Sequence, residues 1–154
     1  MNMSKLPSFG KDFQPIKLKG KSKSFVDFFE SVQAGFPSPA DDFEVKKLSL
    51  DERYLSKKNS TFLVKVVGDS MNPTFFENDI LIVRSDLPVE DGQIGVFSVN
   101  NSEFTVKRLD TKRSLLIADN ENHKNITISE SDTVVSLGNV VAFFRDLINR
   151  KKSP

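Results

Sequence analysis

The chain has 154 residues, enough for one domain of moderate size with a core of its own, and a formal net charge of +1. It contains no cysteine, which excludes disulfides, cysteine-based zinc sites and a cysteine nucleophile, and is the usage expected of a reducing cytoplasm. A single histidine, His123, lies in the polar stretch Asp119 to Asn125, a setting for a solvated loop that argues against a Ser-His-Asp triad.

The charge is unevenly placed. Residues 1–24 hold six lysines against one aspartate, a net +5, which leaves −4 on the remainder. Scattered lysines among Ser, Gly and Pro, with only Phe9 and Phe13 between them, predict a flexible, solvated arm over residues 1–23 rather than a nucleic-acid surface. No signal-peptide pattern follows these lysines, and no apolar run approaches the roughly 18 residues of a membrane span, so no membrane partner is expected.

In Ser24 to Val32, residues Phe25, Phe28, Phe29 and Val32 recur at helical spacing. With Ser24 as cap and Asp27 answering it, the pattern predicts a short amphipathic helix that must dock its phenylalanines elsewhere. Gln33-Ala34-Gly35-Phe36-Pro37-Ser38-Pro39-Ala40 follows. Its glycine and prolines forbid helix, so the stretch is either a linker or a peptide that lies extended in a protease groove, with Ala34 and Gly35 at the bond to be cut.

From Phe43 the chain reads as short strands. Phe43–Leu50 is mixed, and Asp51–Ser60 is polar enough for a turn or short helix. Strands are predicted at Phe62–Val67, Ile80–Arg84, Ile94–Val99, Glu103–Leu109, Leu115–Ala118, Ile126–Ile128 and Val134–Phe144, with a hairpin turn at Asn100-Asn101, a bulge at Gly138 and a ragged helical turn over Arg145–Lys152. Such spacing implies a mostly β fold.

Between the first two of these apolar runs stands Gly68-Asp69-Ser70-Met71 with Pro73 close behind, which presents a serine at a break between strands. A plain β-turn would look the same. Lys107, in Phe104-Thr105-Val106-Lys107-Arg108-Leu109, shares a strand face with Thr105 and Leu109 and could point into a cleft, although Lys65 and Arg108 offer a similar pattern. If Ser70 and Lys107 meet, lysine must serve as base, and only its uncharged amine can do so. A free lysine, with pKa ≈ 10.4, is neutral in only about 0.04% of molecules at pH 7. Bringing it to about 7 takes roughly 4.6 kcal/mol against the charged form, within the reach of burial. Lys107 would then need apolar surroundings, Asp69 would have to point away, and the backbone N–H groups of Ser70 and Asp69 are the candidate oxyanion donors.

These blocks, together with Asp79-Ile80-Leu81-Ile82-Val83 and Gly92-Gln93-Ile94, resemble the self-cleaving serine-lysine peptidases of the LexA and UmuD type. The similarity runs from about Phe25 to the C-terminus and places serine and lysine 37 residues apart. The resemblance implies Ser70 as nucleophile, Lys107 as general base, Ala34-Gly35 as the bond cut, a mostly β LexA/UmuD-type fold and a homodimer. It divides the chain into an arm, 1–34, removed by cleavage, and a peptidase and dimerisation domain, 35–154, and it calls for no cofactor or metal.

Within the family the Gly35-Phe36-Pro37-Ser38-Pro39 block resembles the UmuD type, regulatory subunits of error-prone translesion DNA polymerases in the SOS response to DNA damage. The implied partners are a UmuC-like polymerase subunit and a RecA filament on single-stranded DNA. A self-cleaving repressor would need a helix-turn-helix ahead of the cut, which 34 residues with one candidate helix do not supply, so no sequence-specific DNA binding is expected. Ala34 departs from the cysteine frequent in UmuD proteins but matches the Ala-Gly of the repressors, and the lysine-rich arm is longer than the family leads one to expect. The competing assignments are a non-enzymatic dimeric β-domain that binds protein partners, a self-cleaving transcriptional repressor fragment, and a signal peptidase, for which the membrane anchor is missing.

Overall fold

The computed structural model describes residues 13–16, 25–28 and 46–148. The chain forms two compact units, one of residues 19–58 and the other of residues 1–18 and 59–154.

In the smaller unit, β2 (Val26–Phe28) pairs antiparallel with β3 (Lys46–Leu48), Val26 opposite Leu48 and Phe28 opposite Lys46. Helix α1 (Leu50–Leu55) follows, and the Ser49 hydroxyl caps it by accepting the Glu52 N–H at 3.3 Å. The helix expected over Ser24–Val32 is thus replaced, at residues 26–28, by a strand. Nine residues cannot sustain a helix without an apolar surface beneath them. Phe25 and Val26 are about half exposed, and pairing with β3 gives the backbone the partners that the isolated helix would have lacked. Residues 29–32 lie outside those described.

The larger unit is one curled antiparallel sheet of eight strands in the order β1-β4-β5-β10-β6-β7-β8-β9. Its members are β1 (Phe13–Ile16), β4 (Thr61–Val66), β5 (Ile80–Arg84), β6 (Ile94–Val99), β7 (Thr105–Asp110), β8 (Leu115–Ile117), β9 (Ile126–Thr127) and β10 (Val134–Phe144). The mostly β expectation holds, as do the predicted strands to within a residue or two. β1 was not anticipated: four residues of the arm that composition reads as flexible pair with β4. Residues 145–148, expected to begin a helical turn, are not helical.

Strands β4, β5, β6, β7 and β10 form where β-branched or aromatic residues run together, and their buried residues share one core: Phe62, Val64, Val66, Leu81, Val83, Val96, Val106 and Leu137, with Phe104 just ahead of β7 and Met71 and Phe75 from the turn after β4. The long β10 serves two neighbours, pairing through its first half with β6 and through its second with β5. Register shifts at Ser136/Gly138 and Val140/Ala142 accompany that change of partner, and bulges of this kind bend a strand and raise its twist. Gly138 has φ +147, and a Cβ there would collide with the Arg84 carbonyl oxygen. The hairpin turn at Asn100 and Asn101 has φ +51 and +59, the left-handed pair that asparagine tolerates.

Candidate active site

β4 runs straight into the turn that carries Ser70. The base of the turn is closed by two backbone bonds, Val66 N–H to Asp79 O at 2.8 Å and Asn78 N–H to Val66 O at 2.9 Å. Gly68, with φ +103, takes a conformation that a side chain would resist. Met71 and Phe75 insert into the core, 3% and 5% exposed. Those two anchors fix the turn while Ser70 between them and β4 stays half-buried at its surface.

Beneath the turn Asp79 is fully buried. Its carboxylate accepts the Phe76 N–H at 2.8 Å and both arms of the Arg145 guanidinium at 2.6 Å. Burial alone would push this carboxyl up, but the bonds from Arg145 and Phe76 and the Arg145 charge outweigh it and hold it below its ordinary value.

Lys107 sits in β7 opposite Gly95 of β6 and is only 5% exposed. Its Nζ lies 3.0 Å from Ser70 Oγ, 3.0 Å from Thr105 Oγ1 and 2.9 Å from the Val106 carbonyl oxygen. A neutral amine keeps two N–H bonds, which Thr105 and Val106 can accept. Its lone pair then faces the Ser70 hydroxyl proton. Of the three basic residues that sequence could not rank, Lys107 alone is both buried and beside the serine: Lys65 and Arg108 are only partly buried.

A polar loop after β8 ties the serine turn to β7. Arg108, next to Lys107, grips Asp119 through two bonds of 2.9 and 2.6 Å, and the same carboxylate accepts the Thr74 hydroxyl at 2.5 Å. Asn120 donates its N–H to Ser70 O at 3.1 Å and its side-chain amide to Asp69 O at 2.9 Å. Burial raises the Asp119 carboxyl, while Arg108 and Thr74, with a smaller contribution from the Lys107 charge, bring it below its ordinary value. Sequence reasoning passed over Thr74, Thr105, Arg108, Asp119 and Asn120 as supports. The one available signal was the density of short polar side chains in Asp119 to Asn125.

Asp69 meets the requirement placed on it. Its exposed carboxylate turns to the His123 ring, 2.7 Å away, so the histidine, expected only as part of a solvated loop, sits beside the serine turn. A small apolar cleft beside Ser70 is lined by Val66, Val67, Gly68, Met71, Phe75 and Val106. Ala34 and Gly35 lie outside the described residues. Among the described residues there is no cluster of three or more metal-ligating side chains and no helix long and apolar enough to cross a membrane.

A buried lysine amine thus lies against a serine held at the end of a strand, on a curled antiparallel sheet. A family profile described as "Peptidase S24-like" matches residues 27–141, and the chain belongs to that family, in keeping with the LexA/UmuD resemblance. The chain is 37% identical over 83 residues to protein MucA of Salmonella typhimurium, a match spanning 53% of this chain and 56% of MucA. It is 40% identical over 84 residues to protein ImpA of Escherichia coli, 53% of this chain and 57% of ImpA. It is also 27% identical over 133 residues to the LexA repressor of Bacillus cytotoxicus, 86% of this chain and 64% of LexA. The matches thus span little more than half the length of MucA and ImpA.

Proposed function

We propose that this chain is a self-cleaving regulatory subunit of an error-prone translesion polymerase in the SOS response, cutting its own Ala34-Gly35 bond with Ser70 as nucleophile and Lys107 as general base. The observation that carries the proposal is the 3.0 Å approach of Lys107 Nζ to Ser70 Oγ, with the lysine 5% exposed. The 3.0 Å separation is a working distance for proton transfer.

Ser70 Oγ attacks the Ala34 carbonyl carbon while its proton passes to the neutral Lys107 amine. Backbone N–H groups of Ser70 and Asp69 receive the negative charge that gathers on the carbonyl oxygen. Lys107 then gives the proton to the Gly35 nitrogen as the C–N bond breaks, leaving an ester on Ser70. Water, losing a proton to the same amine, releases the Ala34 carboxylate. The apolar cleft beside Ser70 suits a side chain as small as the alanine methyl.

Because the peptide is part of the same molecule, its effective concentration is high, and rate depends on how often it lies at Ser70 with Lys107 uncharged. A RecA filament on single-stranded DNA fits as the agent that favours that arrangement. A homodimer is supported by the apolar end of β10 and the residues just beyond it: Phe143, Phe144, Leu147 and Ile148 are 45%, 47%, 90% and 77% exposed. Likeness to MucA and ImpA favours a UmuC-like polymerase partner over an operator.

Purified chain held at alkaline pH should yield a fragment whose mass begins at Gly35, absent in Ser70→Ala. Persistence of intact chain across the alkaline range, with or without RecA filaments, would refute the proposal and leave a β-domain that acts by binding alone.

A further inference from the structure

A peptide that is to be cut lies extended and pairs its backbone with a strand edge leading to the attacking oxygen, since such an edge offers the regular row of N–H and C=O groups that holds a chain straight. The sheet has few edges to offer. β7, which carries Lys107, is flanked by β6 and β8. β4, which delivers Ser70, has β5 on its inner side, and its outer side is taken by residues 13–16 of the same chain.

The register shows how completely. Val66 turns its N–H and C=O inward to Asp79 and Asn78, so by strand alternation Leu63, Lys65 and Val67 turn theirs outward. β1 sets Ile16 opposite Leu63 and Gln14 opposite Lys65, meeting two of those three outward positions. Pro15, which has no N–H, falls opposite Val64, where the outward row requires none. The outer edge of β4 is therefore filled to within four residues of Ser70.

We infer that the outer edge of β4 is the peptide-binding edge of this site and that β1 lies on it as an autoinhibitory strand, which the segment around Ala34-Gly35 must displace before Ser70 can reach it. This rests on the cleavage proposed above. Only two bonded positions hold β1, so its pairing opens readily enough for slow cleavage, and anything that draws the arm away accelerates the reaction by raising the fraction of chains with a vacant edge.

The absence of native cysteine makes a direct test available. In the double variant Gln14→Cys with Lys65→Cys the two thiols occupy opposed positions of a bonded antiparallel pair, about 5.5 Å apart at Cα and within disulfide range. The full-length oxidised chain, its bond verified by the loss of two hydrogens in mass, is compared with the same chain in dithiothreitol at alkaline pH, reading the fragment that begins at Gly35. Cleavage at least tenfold slower when oxidised, together with several-fold faster cleavage in Gln14→Pro, is the expected result. Equal rates in the two redox states, or a bond that does not form, would overturn the inference. No fragment from the reduced double variant or from the unaltered chain would instead refute the cleavage itself, a distinguishable outcome that takes the inference with it.

Discussion

Lys107 Nζ and Ser70 Oγ stand 3.0 Å apart although the strands that deliver them are separated in the sheet by β5, β10 and β6. At about 4.8 Å per strand a flat sheet would hold β4 and β7 some 19 Å from each other. Curl, aided by the two bulges of β10, brings the two side chains together. The site is thus a property of the closed sheet rather than of either strand.

Replacing the lysine should separate chemistry from folding. Lys107→Met keeps the aliphatic stem and removes the amine, so self-cleavage is expected to fall by about 10²–10⁴-fold, the usual worth of a general base, with the melting temperature held or raised. In the unaltered chain the rate should climb with pH as the amine loses its proton. Fragment yield by mass spectrometry from pH 6 to 11, for both chains, checks this.

The loop after β8 should matter for rate more than for stability. Asn120 holds the Ser70 carbonyl through its backbone N–H and the Asp69 carbonyl through its side-chain amide, so Asn120→Ala removes the second bond and loosens the serine turn without touching the lysine. A displacement of about 1 Å can cost about 10²-fold, and a rate at least tenfold lower at every pH is expected. Its pH midpoint should match that of the parent chain, because the surroundings of Lys107 are unchanged. A moved midpoint would assign the loop to the lysine instead.

Acid should unfold the domain through its paired carboxylates. Asp79 and Asp119 are held below their ordinary value, and Asp132 is pulled down to about 2 by the Ser129 N–H, the Asn100 amide and the Ser129 hydroxyl. Each folded value is depressed, so the stabilisation is complete above the unfolded value near 3.8 and is lost as pH falls through the folded ones. Urea midpoints measured from pH 6 to 2 should fall steeply below about pH 4. Asp79→Asn should lower the midpoint at neutral pH and flatten that fall.

Two glycines with left-handed φ should respond differently to alanine. Gly138 has φ +147 and the Arg84 backbone in the way, whereas Gly92, with φ +80, has nothing within 4 Å of a Cβ. Gly92→Ala is expected to destabilise by about 1–2 kcal/mol, from backbone strain alone. Gly138→Ala adds the clash and should lose a further 1–3 kcal/mol, roughly, by urea titration.

Composition and pattern carried much of this protein. Runs such as Phe62-Leu63-Val64 and Ile80-Leu81-Ile82-Val83 are strands in almost any setting, because β-branched and aromatic side chains fit a half-buried pleat. Gly138 and Asn100-Asn101 marked a bulge and a turn because their φ values are ones that bulkier residues resist. The break at Gly68-Asp69-Ser70 exposed a serine for the same local reason.

Other features depend on partners distant in sequence. Val26–Phe28 carries a helical spacing and is a strand because β3 offers it a ladder, and Phe13–Ile16 reads as solvated arm yet completes an edge. Lys65, Lys107 and Arg108 are alike as letters. Only the folding of β7 beneath the serine turn buries one of them, since burial belongs to what surrounds a side chain and not to the side chain itself. Strand identity was therefore legible from local sterics and hydrophobicity, while strand order, the choice of lysine and the covering of the β4 edge required the whole chain to close on itself.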